Sequence, residues 1–243
     1  MKTSIQKIFI AFILFPLASC AQWDLNKINK TIKDNTRFNK PLSNDEIVKG
    51  LKEALTIGSN NSAGAASKVD GYFKHPVIKI PFPPEARDME QKLRSIGMDK
   101  QVDEFVLTMN RAAEEAAKEA APVFVEAVKQ MTITDGVKIL KGKDDEATQY
   151  LKRSTSVELK SKFQPIVKRA IDKVQVTSYW NPLASTYNRI PFVTKVDPNL
   201  EDYITQKALD GLFYLVAQEE LKIRKDPVAR VTDLLKRVFG SNK

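Results

Sequence analysis

Glu219 is the carboxylate in this sequence whose surroundings best suit acid–base chemistry. It belongs to a helical pattern at residues 200–224 and lies close to the centre of an apolar stripe. Burial without a partner destabilises a carboxylate and raises its pKa, which is what a general acid or base requires. The alternative is a buried ion pair with Lys or Arg, or a carboxylate that ends the stripe. Glu220, at the edge of the stripe and four residues before Arg224, is expected to pair on the helix surface.

Three further polar residues share one stretch of a second predicted helix. Asn110 and Glu114 lie one turn apart on its flank, and Arg111 is expected to face solvent. Together with Glu219, these side chains would form a polar site between two helices. The alternative interpretation is a solvated helix face for each of them.

The chain has one histidine and one cysteine, and these counts exclude several classes of site. Zinc clusters, haem and iron–sulfur motifs, and an intramolecular disulfide framework all need more of these residues. His75 precedes Pro76 and is expected in a turn, and Asp135 beside Thr134 is expected to be a helix N-cap. There is no Gly-x-Ser-x-Gly motif, and residues 136–144 lack the glycine spacing of a phosphate-binding loop. The sequence therefore predicts no metal and no cofactor.

The charge of the chain is basic but diffuse. It carries 39 Lys and Arg against 30 Asp and Glu, a formal charge of +9. The cations do not form a stripe interleaved with aromatic residues, so we expect no nucleic-acid partner. Anionic lipid or acidic envelope polymers suit this charge better.

The first twenty residues predict export and lipid attachment. Lys2 and Lys7 precede an apolar run at residues 8–19, which is shorter than the roughly 20 residues that cross a bilayer as a helix. The run ends in Leu-Ala-Ser-Cys, which resembles the bacterial lipobox, and Cys20 is the only cysteine in the chain. We predict a signal peptide at residues 1–19 and acylation of Cys20. The alternative is an ordinary secretory signal with an unmodified thiol.

An acylated Cys20 would place the protein in the cell envelope, with the membrane as a partner through a lipid (palmitate) anchor. Ala21 follows the cysteine where Asp would favour inner-membrane retention, so the expected location is the outer membrane, facing the periplasm. Loss of residues 1–19 removes two lysines and no acidic residue, so the formal charge falls from +9 to +7.

The first half of the folded region has clear helical signals. Residues 43–46 (Ser-Asn-Asp-Glu) match a capping box that starts a helix, and residues 58–64, which are rich in glycine and polar residues, are expected to break or loosen it. A long apolar stripe at residues 99–131 continues through Pro122, which either kinks that helix or starts a new one. The alanines of this stripe permit a neighbouring helix to approach closely.

The second half predicts several more helices. They are expected at residues 134–141 and 145–154, after a second capping box at residues 155–158, and after a cap at Asp226-Pro227. The last helix is expected to bury Val228, Val231, Leu235 and Val238.

The fold class predicted from these signals is an all-α multi-helix bundle. Two extended segments containing proline, residues 77–84 and 190–196, leave open one short two-stranded β ribbon. The expected organisation is a lipoprotein signal peptide at residues 1–19, a lipidated tether at residues 20–41 and a single helical domain at residues 42–243.

Seven short motifs occur in order along this domain. They are MNRAAE at 109–114, MTITDG at 131–136, ILKG at 139–142, ATQY at 147–150, KALDGLF at 207–213, EELKIR at 219–224 and DPVAR at 226–230. Together they resemble the bacterial family known as domain of unknown function 4197. The resemblance implies an exported, mainly helical domain and implies no activity. The polar residues within the motifs fit either one shared binding site or a buried network: Asn110, Arg111, Glu114, Asp135, Asp210, Glu219 and Arg224.

Three functional hypotheses follow. The first is a non-enzymatic envelope lipoprotein that binds a small or lipid-like ligand, or a protein partner, through a groove between helices. The second is a hydrolase or lyase of an envelope polymer, with Glu219 as general acid or base. The third is a structural scaffold. The sequence leaves the oligomeric state open.

Overall fold

The folded region begins with helix α1, Asn44–Ala66, in a computed structural model that describes residues 41–196 and 198–240. The predicted signal peptide, Cys20 and the tether up to residue 40 lie outside the described residues. Ser43 and Glu46 form the predicted capping box, in which the Ser43 hydroxyl accepts from the Glu46 N–H at 3.2 Å and the Glu46 carboxylate accepts from the Ser43 N–H at 3.1 Å.

The expected break in α1 at residues 58–64 is wrong. The helix continues through Gly58 because this residue packs directly against the last long helix: a Cβ at Gly58 would lie 3.3 Å from the Cβ of Glu219. Tertiary packing therefore outweighs the low helix propensity of glycine at this position.

The remaining helices follow in short succession. They are α2 (Arg87–Ser95), α3 (Asp99–Ala117), α4 (Ala120–Gln130), α5 (Gly136–Leu140), α6 (Glu146–Lys173), α7 (Val176–Asn188), α8 (Leu200–Lys225) and α9 (Asp233–Gly240), with 3-10 turns at Pro84–Ala86 and Pro227–Ala229. The fold class is therefore all-α, as predicted. No helix in the described ranges has both the length and the apolar character needed to cross a membrane.

Local signals predicted a helix boundary near Pro122 and another at residues 155–158, and the structure contains only the first. Of the two outcomes predicted at Pro122, the structure has the new helix, which starts at Ala120. The second capping box is wrong, because α6 runs without interruption across residues 155–158. The Thr155 hydroxyl donates to the Leu151 carbonyl at 2.6 Å, so it is satisfied inside the helix and caps nothing.

The C-terminal segment is only partly as expected. Asp226 caps the 3-10 turn that follows it, accepting from the Val228 N–H at 2.9 Å, and α9 starts later. Leu235 and Val238 are buried as predicted, whereas Val228 and Val231 are exposed, because they precede the helix instead of lying on its inner face.

The β ribbon does not form, and the described residues contain no strand. The backbone of Ile80, in the middle of the first segment, pairs with a side chain of α3 instead of a second strand. The core lies between α8 and the helices packed around it, chiefly α1 and α6. The alanines of α3 are buried, and α6 and α7 pack against that helix.

Candidate functional site

The polar residues singled out from the sequence form separate groups instead of one site. One group lies on α3 and a second near the C-terminal end of α8, and no hydrogen bond or ion pair within the described ranges joins them. Glu219, Asp135 and Asp210 each have other partners. These residues therefore belong to several local networks and not to one shared site. The networks differ in how deeply they are buried and in which parts of the chain they contact.

Asn110 on α3 is completely buried, contrary to a solvated helix face. Its amide oxygen accepts from the Ile80 N–H at 2.8 Å, and its amide nitrogen donates to the Ile80 carbonyl at 2.8 Å. The same nitrogen donates to the Val106 carbonyl at 2.8 Å. The side chain thus replaces a neighbouring strand, satisfying both backbone groups of one residue in the segment between α1 and α2.

Glu114 is also buried, one turn further along α3. Its carboxylate accepts from the backbone N–H groups of Tyr72 and Phe73, both at 3.1 Å, and from Arg111. Arg111 is partly buried and also binds Asp70 at 2.8 Å. Arg111, expected on the solvent side of α3, is 30% exposed and also links two carboxylates, which the sequence did not predict.

The segment held by α3 is also attached to α8. The Tyr72 hydroxyl is buried and donates to the Ala208 carbonyl at 2.7 Å, and burial raises the pKa of this tyrosine well above its usual range. Tyr203 donates to the Pro81 carbonyl at 3.0 Å, and partial burial raises the pKa of Tyr203 to about 12. Asn110 and Glu114 therefore anchor a connecting segment between two helices.

Glu220, not Glu219, is the buried carboxylate of α8. Its side chain is 2% exposed and accepts from the N–H groups of Ala147 at 3.0 Å and Thr148 at 2.7 Å, and from the Thr148 hydroxyl at 2.6 Å. Arg224 binds the same carboxylate at 2.7 Å. The expected surface pair is therefore a buried one.

Arg224, the partner of Glu220, also contacts the helix that precedes α6. It donates to the carbonyls of Leu140 at 2.7 Å and Ile139 at 3.1 Å, at the end of α5. A carboxylate at the start of one helix and a guanidinium at the end of another both match the local backbone charges. This pair therefore holds the junction between α5 and α6.

Glu219 lies on the side of α8 that faces α1. Its side chain is 18% exposed, accepts from the Asn61 amide at 2.7 Å and pairs with Lys222. Successive residues such as Glu219 and Glu220 are about 100° apart around an α-helix. The choice between them as the buried residue therefore depends on where the centre of the apolar stripe is placed. The spacing of buried apolar residues does not separate the two, because Glu219 lies three, four or seven residues from Val216, Ile223 and Leu212, and Glu220 has the same spacings from Ile223, Val216 and Phe213.

Asp135 is the N-cap of α5, as predicted, and its carboxylate accepts from the Lys138 N–H at 2.9 Å. Asp210 instead borders a cleft, where it pairs with Lys152 of α6 at 2.9 Å. Sequence reasoning missed Lys152, because nothing in its immediate neighbourhood along the chain marks it as a partner of Asp210.

The cleft at Asp210 runs between α6 and α8 and has a volume of about 460 Å³. We call it the α6–α8 cleft. Its lining consists of Asp144, Asp145, Thr148, Gln149, Lys152, Asp210, Phe213, Tyr214, Ala217, Gln218, Leu221 and Lys225. Because the α8 members extend from residue 210 to residue 225 on one face, the cleft is about 22 Å long at the rise of an α-helix.

Two ion pairs close the ends of the α6–α8 cleft. Lys152 pairs with Asp210 at 2.9 Å, and Asp144, just before α6, pairs with Lys225 at 2.6 Å. Earlier residues of one helix thus meet later residues of the other, so α6 and α8 are antiparallel. Between the pairs the lining is mixed, with Phe213, Ala217 and Leu221 beside Thr148, Gln149 and Gln218. The Lys152 ammonium lies 5.5 Å from the centre of the Phe213 ring. The cleft therefore offers both signs of charge around an aromatic surface.

Two other clefts have different linings. One of about 370 Å³ includes Arg111 and Glu114, whose polar groups hold the segment between α1 and α2. Another of about 440 Å³ lies along the outer face of α6. Among the residues that the structure describes, no cluster of His, Cys, Asp and Glu is arranged to hold a metal ion.

Comparison with known proteins gives one match. A family model described as a protein of unknown function (DUF4197) matches residues 41–240. No curated protein and no solved structure matches the chain.

Proposed function

Because this chain belongs to the DUF4197 family of proteins of unknown function, we propose its role from its own residues: a lipid-anchored cell-envelope protein that binds a small ligand without chemical turnover, in the α6–α8 cleft. The ligand class that fits this cleft carries both an amine and a carboxylate. Each group would meet the oppositely charged member of an ion pair, and the carbon skeleton would lie against Phe213, Ala217 and Leu221.

The observation that carries this proposal is the pairing of charges at the two ends of the α6–α8 cleft. The Lys225–Asp144 pair is exposed, with side chains 64% and 55% accessible, and the Lys152–Asp210 pair is partly exposed, at 41% and 39%. Exposed pairs of this kind contribute at most about 1 kcal/mol, so exchanging one partner for a ligand group costs little. The volume of about 460 Å³ falls within the range of small-molecule sites.

The environment of the acidic residues supports binding over catalysis. Glu114 and Glu220 each accept from two backbone N–H groups, and each also pairs with an arginine. The simplest role of a carboxylate with these contacts is to stabilise the fold. Glu219 is held by Asn61 and Lys222 and does not line the α6–α8 cleft. The hydrolase hypothesis stays a prediction: Glu219→Gln would abolish function while leaving the melting temperature unchanged.

The location in the envelope rests on the Leu-Ala-Ser-Cys motif and on the position of Cys20 at the end of an apolar run. Intact-mass analysis of the N-terminal peptide from membranes tests it directly. We expect Cys20 to be the acylated first residue, and Cys20→Ala to move the protein into the soluble fraction. An unmodified Cys20 thiol in mature protein would contradict the anchor.

Ligand binding is tested by native mass spectrometry of the protein extracted from its own membrane. We expect an additional mass that is lost on denaturation and is absent from a variant with Lys152→Ala and Asp210→Ala. The matched control is Arg169→Ala with Glu119→Ala, which removes an exposed pair of similar length, 2.7 Å, away from the α6–α8 cleft. Retention of the mass by the Lys152 and Asp210 variant would contradict this site, and a wild-type protein without any such mass would favour the scaffold hypothesis.

A further inference from the structure

The turn after α7 holds an aromatic side chain in an unusual state. Phe192 is fully exposed, and its φ of 65° lies in the left-handed region that a bulky residue seldom adopts. Neither feature stabilises the folded chain, because the ring buries no surface and the backbone is strained. A side chain held outward at a cost to the fold is a candidate for contact with something other than this chain.

The residues on both sides of Phe192 are packed against the protein. Ile190, Val193 and Val196 are partly buried and pack against the core. Pro191 next to Phe192 is exposed. The result is an exposed apolar tip, Pro191 and Phe192, on a base that packs against the core.

Two cations flank the tip. Arg189 and Lys195 are exposed, and neither forms an ion pair with any described residue. Residues 188–196 contain no acidic residue, and the next one along the chain, Asp197, lies outside the described residues. The tip therefore combines one projecting aromatic ring with two basic side chains that pair with no carboxylate in the part of the chain that the structure describes.

We propose that residues 189–196, the basic aromatic loop, contact an anionic lipid surface. Phe192 lies among the headgroups and acyl boundary, and Arg189 and Lys195 meet lipid phosphates. This inference rests on the proposed envelope location, which places the domain close to a bilayer. A single exposed aromatic side chain buries about 150–250 Å², far below the about 1,000 Å² that a stable protein interface needs, whereas a bilayer needs no complementary shape.

The test uses residues 21–243, which include the whole folded unit but not Cys20, so that binding does not depend on acylation. Thr194→Cys then supplies the only thiol and carries an environment-sensitive fluorophore next to Phe192. With vesicles of phosphatidylcholine and phosphatidylglycerol, we expect a blue shift of emission that is absent with phosphatidylcholine alone and is reversed by high salt.

Substitutions in the labelled chain identify the contributing side chains. Phe192→Ser should weaken vesicle binding about tenfold, in line with partial burial of a phenyl ring. Arg189→Gln and Lys195→Gln should each weaken it about fivefold on anionic vesicles. The matched control is Val157→Ser, an exposed apolar residue on α6, which should bind as the parent does. All of these positions are exposed, so far-UV circular dichroism should stay unchanged.

Three results would overturn the proposal: an unshifted label on anionic vesicles, undiminished binding by Phe192→Ser, or an equal loss in Val157→Ser. Because the chain is not acylated, these outcomes are independent of the mass measured on Cys20 and of the ligand in the α6–α8 cleft. A negative result for lipid binding by the loop can therefore be distinguished from a negative result for the proposed function.

Discussion

Glu220 and Arg224, one turn apart on α8, hold together the end of α5 and the start of α6. The carboxylate accepts from the Ala147 and Thr148 N–H groups, and the guanidinium donates to the Ile139 carbonyl at 3.1 Å while binding Glu220 at 2.7 Å. Both side chains are almost inaccessible to water. The long helix thus determines how two shorter segments meet.

Arg224→Met should lower the free energy of unfolding by about 3–5 kcal/mol, because it leaves the Glu220 carboxylate buried without its cation. Urea denaturation followed by circular dichroism measures this. Lys222→Met is the control: Lys222 is exposed on the same helix and should cost less than about 1 kcal/mol. A loss as small as the control's would show that the buried pair contributes little.

Combining Arg224→Met with Glu220→Leu should cost less than the sum of the two single substitutions. Once the cation is absent, removal of the carboxylate also removes an uncompensated buried charge. A double-mutant cycle should give a coupling of about 1–3 kcal/mol. Additive effects would contradict a direct interaction.

Asn110→Asp should destabilise the protein by about 2–4 kcal/mol at neutral pH, although the two side chains have nearly the same shape. An ionised Asp cannot donate to the Ile80 and Val106 carbonyls, and its charge would be buried. Burial raises the pKa of this new carboxyl above its unfolded value of about 3.9, so the penalty is smallest below that pH and grows as the pH rises. Unfolding curves of wild type and variant across pH test this sign; a gap that widens toward low pH would contradict it.

Protonation of Asp70 should lower the free energy of unfolding of the wild-type protein at acidic pH. The Lys74 ammonium at 2.9 Å and the Arg111 guanidinium at 2.8 Å both hold the pKa of the Asp70 carboxyl below its ordinary value. A lowered pKa contributes stability that is present above about 3.9 and is lost as the pH falls through the folded-state value. Carbon-detected NMR titration of Asp70 measures the pKa, and Asp70→Asn should remove this part of the acid sensitivity. An Asp70 that titrates at its ordinary value would disprove the pairing.

Two glycines of α1 should respond oppositely to alanine. A Cβ at Gly50 would lie 2.6 Å from a methyl group of Val238 in α9, so Gly50→Ala should destabilise by about 1–3 kcal/mol. A Cβ at Gly64 has nothing within 4 Å, so Gly64→Ala should stabilise by about 0.5–1 kcal/mol through helix propensity. Thermal unfolding of both variants compares them, and Val238→Ala should recover part of the loss at Gly50. Equal effects at the two positions would mean that α1 and α9 are not in close contact.

Local signals predicted the features that depend on neighbouring residues along the chain. The capping box at Ser43 and Glu46 and the N-cap at Asp135 form as expected, because each uses backbone groups three residues away. The same kind of signal failed at Thr155, where the hydroxyl found a carbonyl four residues earlier inside a continuous helix. A local motif therefore predicts a helix start only where no longer helix already includes it.

The polar residues could not be assigned in the same way, because their partners are distant in sequence. Asn110 binds a residue 30 positions away, and Glu220 binds backbone groups 72 and 73 positions away. The periodicity of α8 indicated that a carboxylate lay near the apolar stripe, but α8 is packed by α1 on one side and α6 on another. The identity of the buried residue depends on where those two neighbours lie.

The sequence by itself determined the all-α class, the family and most helix positions, because helix propensity, apolar periodicity and capping act over a few residues. Only the tertiary structure decided that Glu220 is buried and Glu219 is not, that Asn110 and Glu114 anchor the segment between α1 and α2, and that Lys152 meets Asp210 across a cleft. These outcomes depend on which helices pack together. The net value of a buried polar group is set by the partners that packing brings to it.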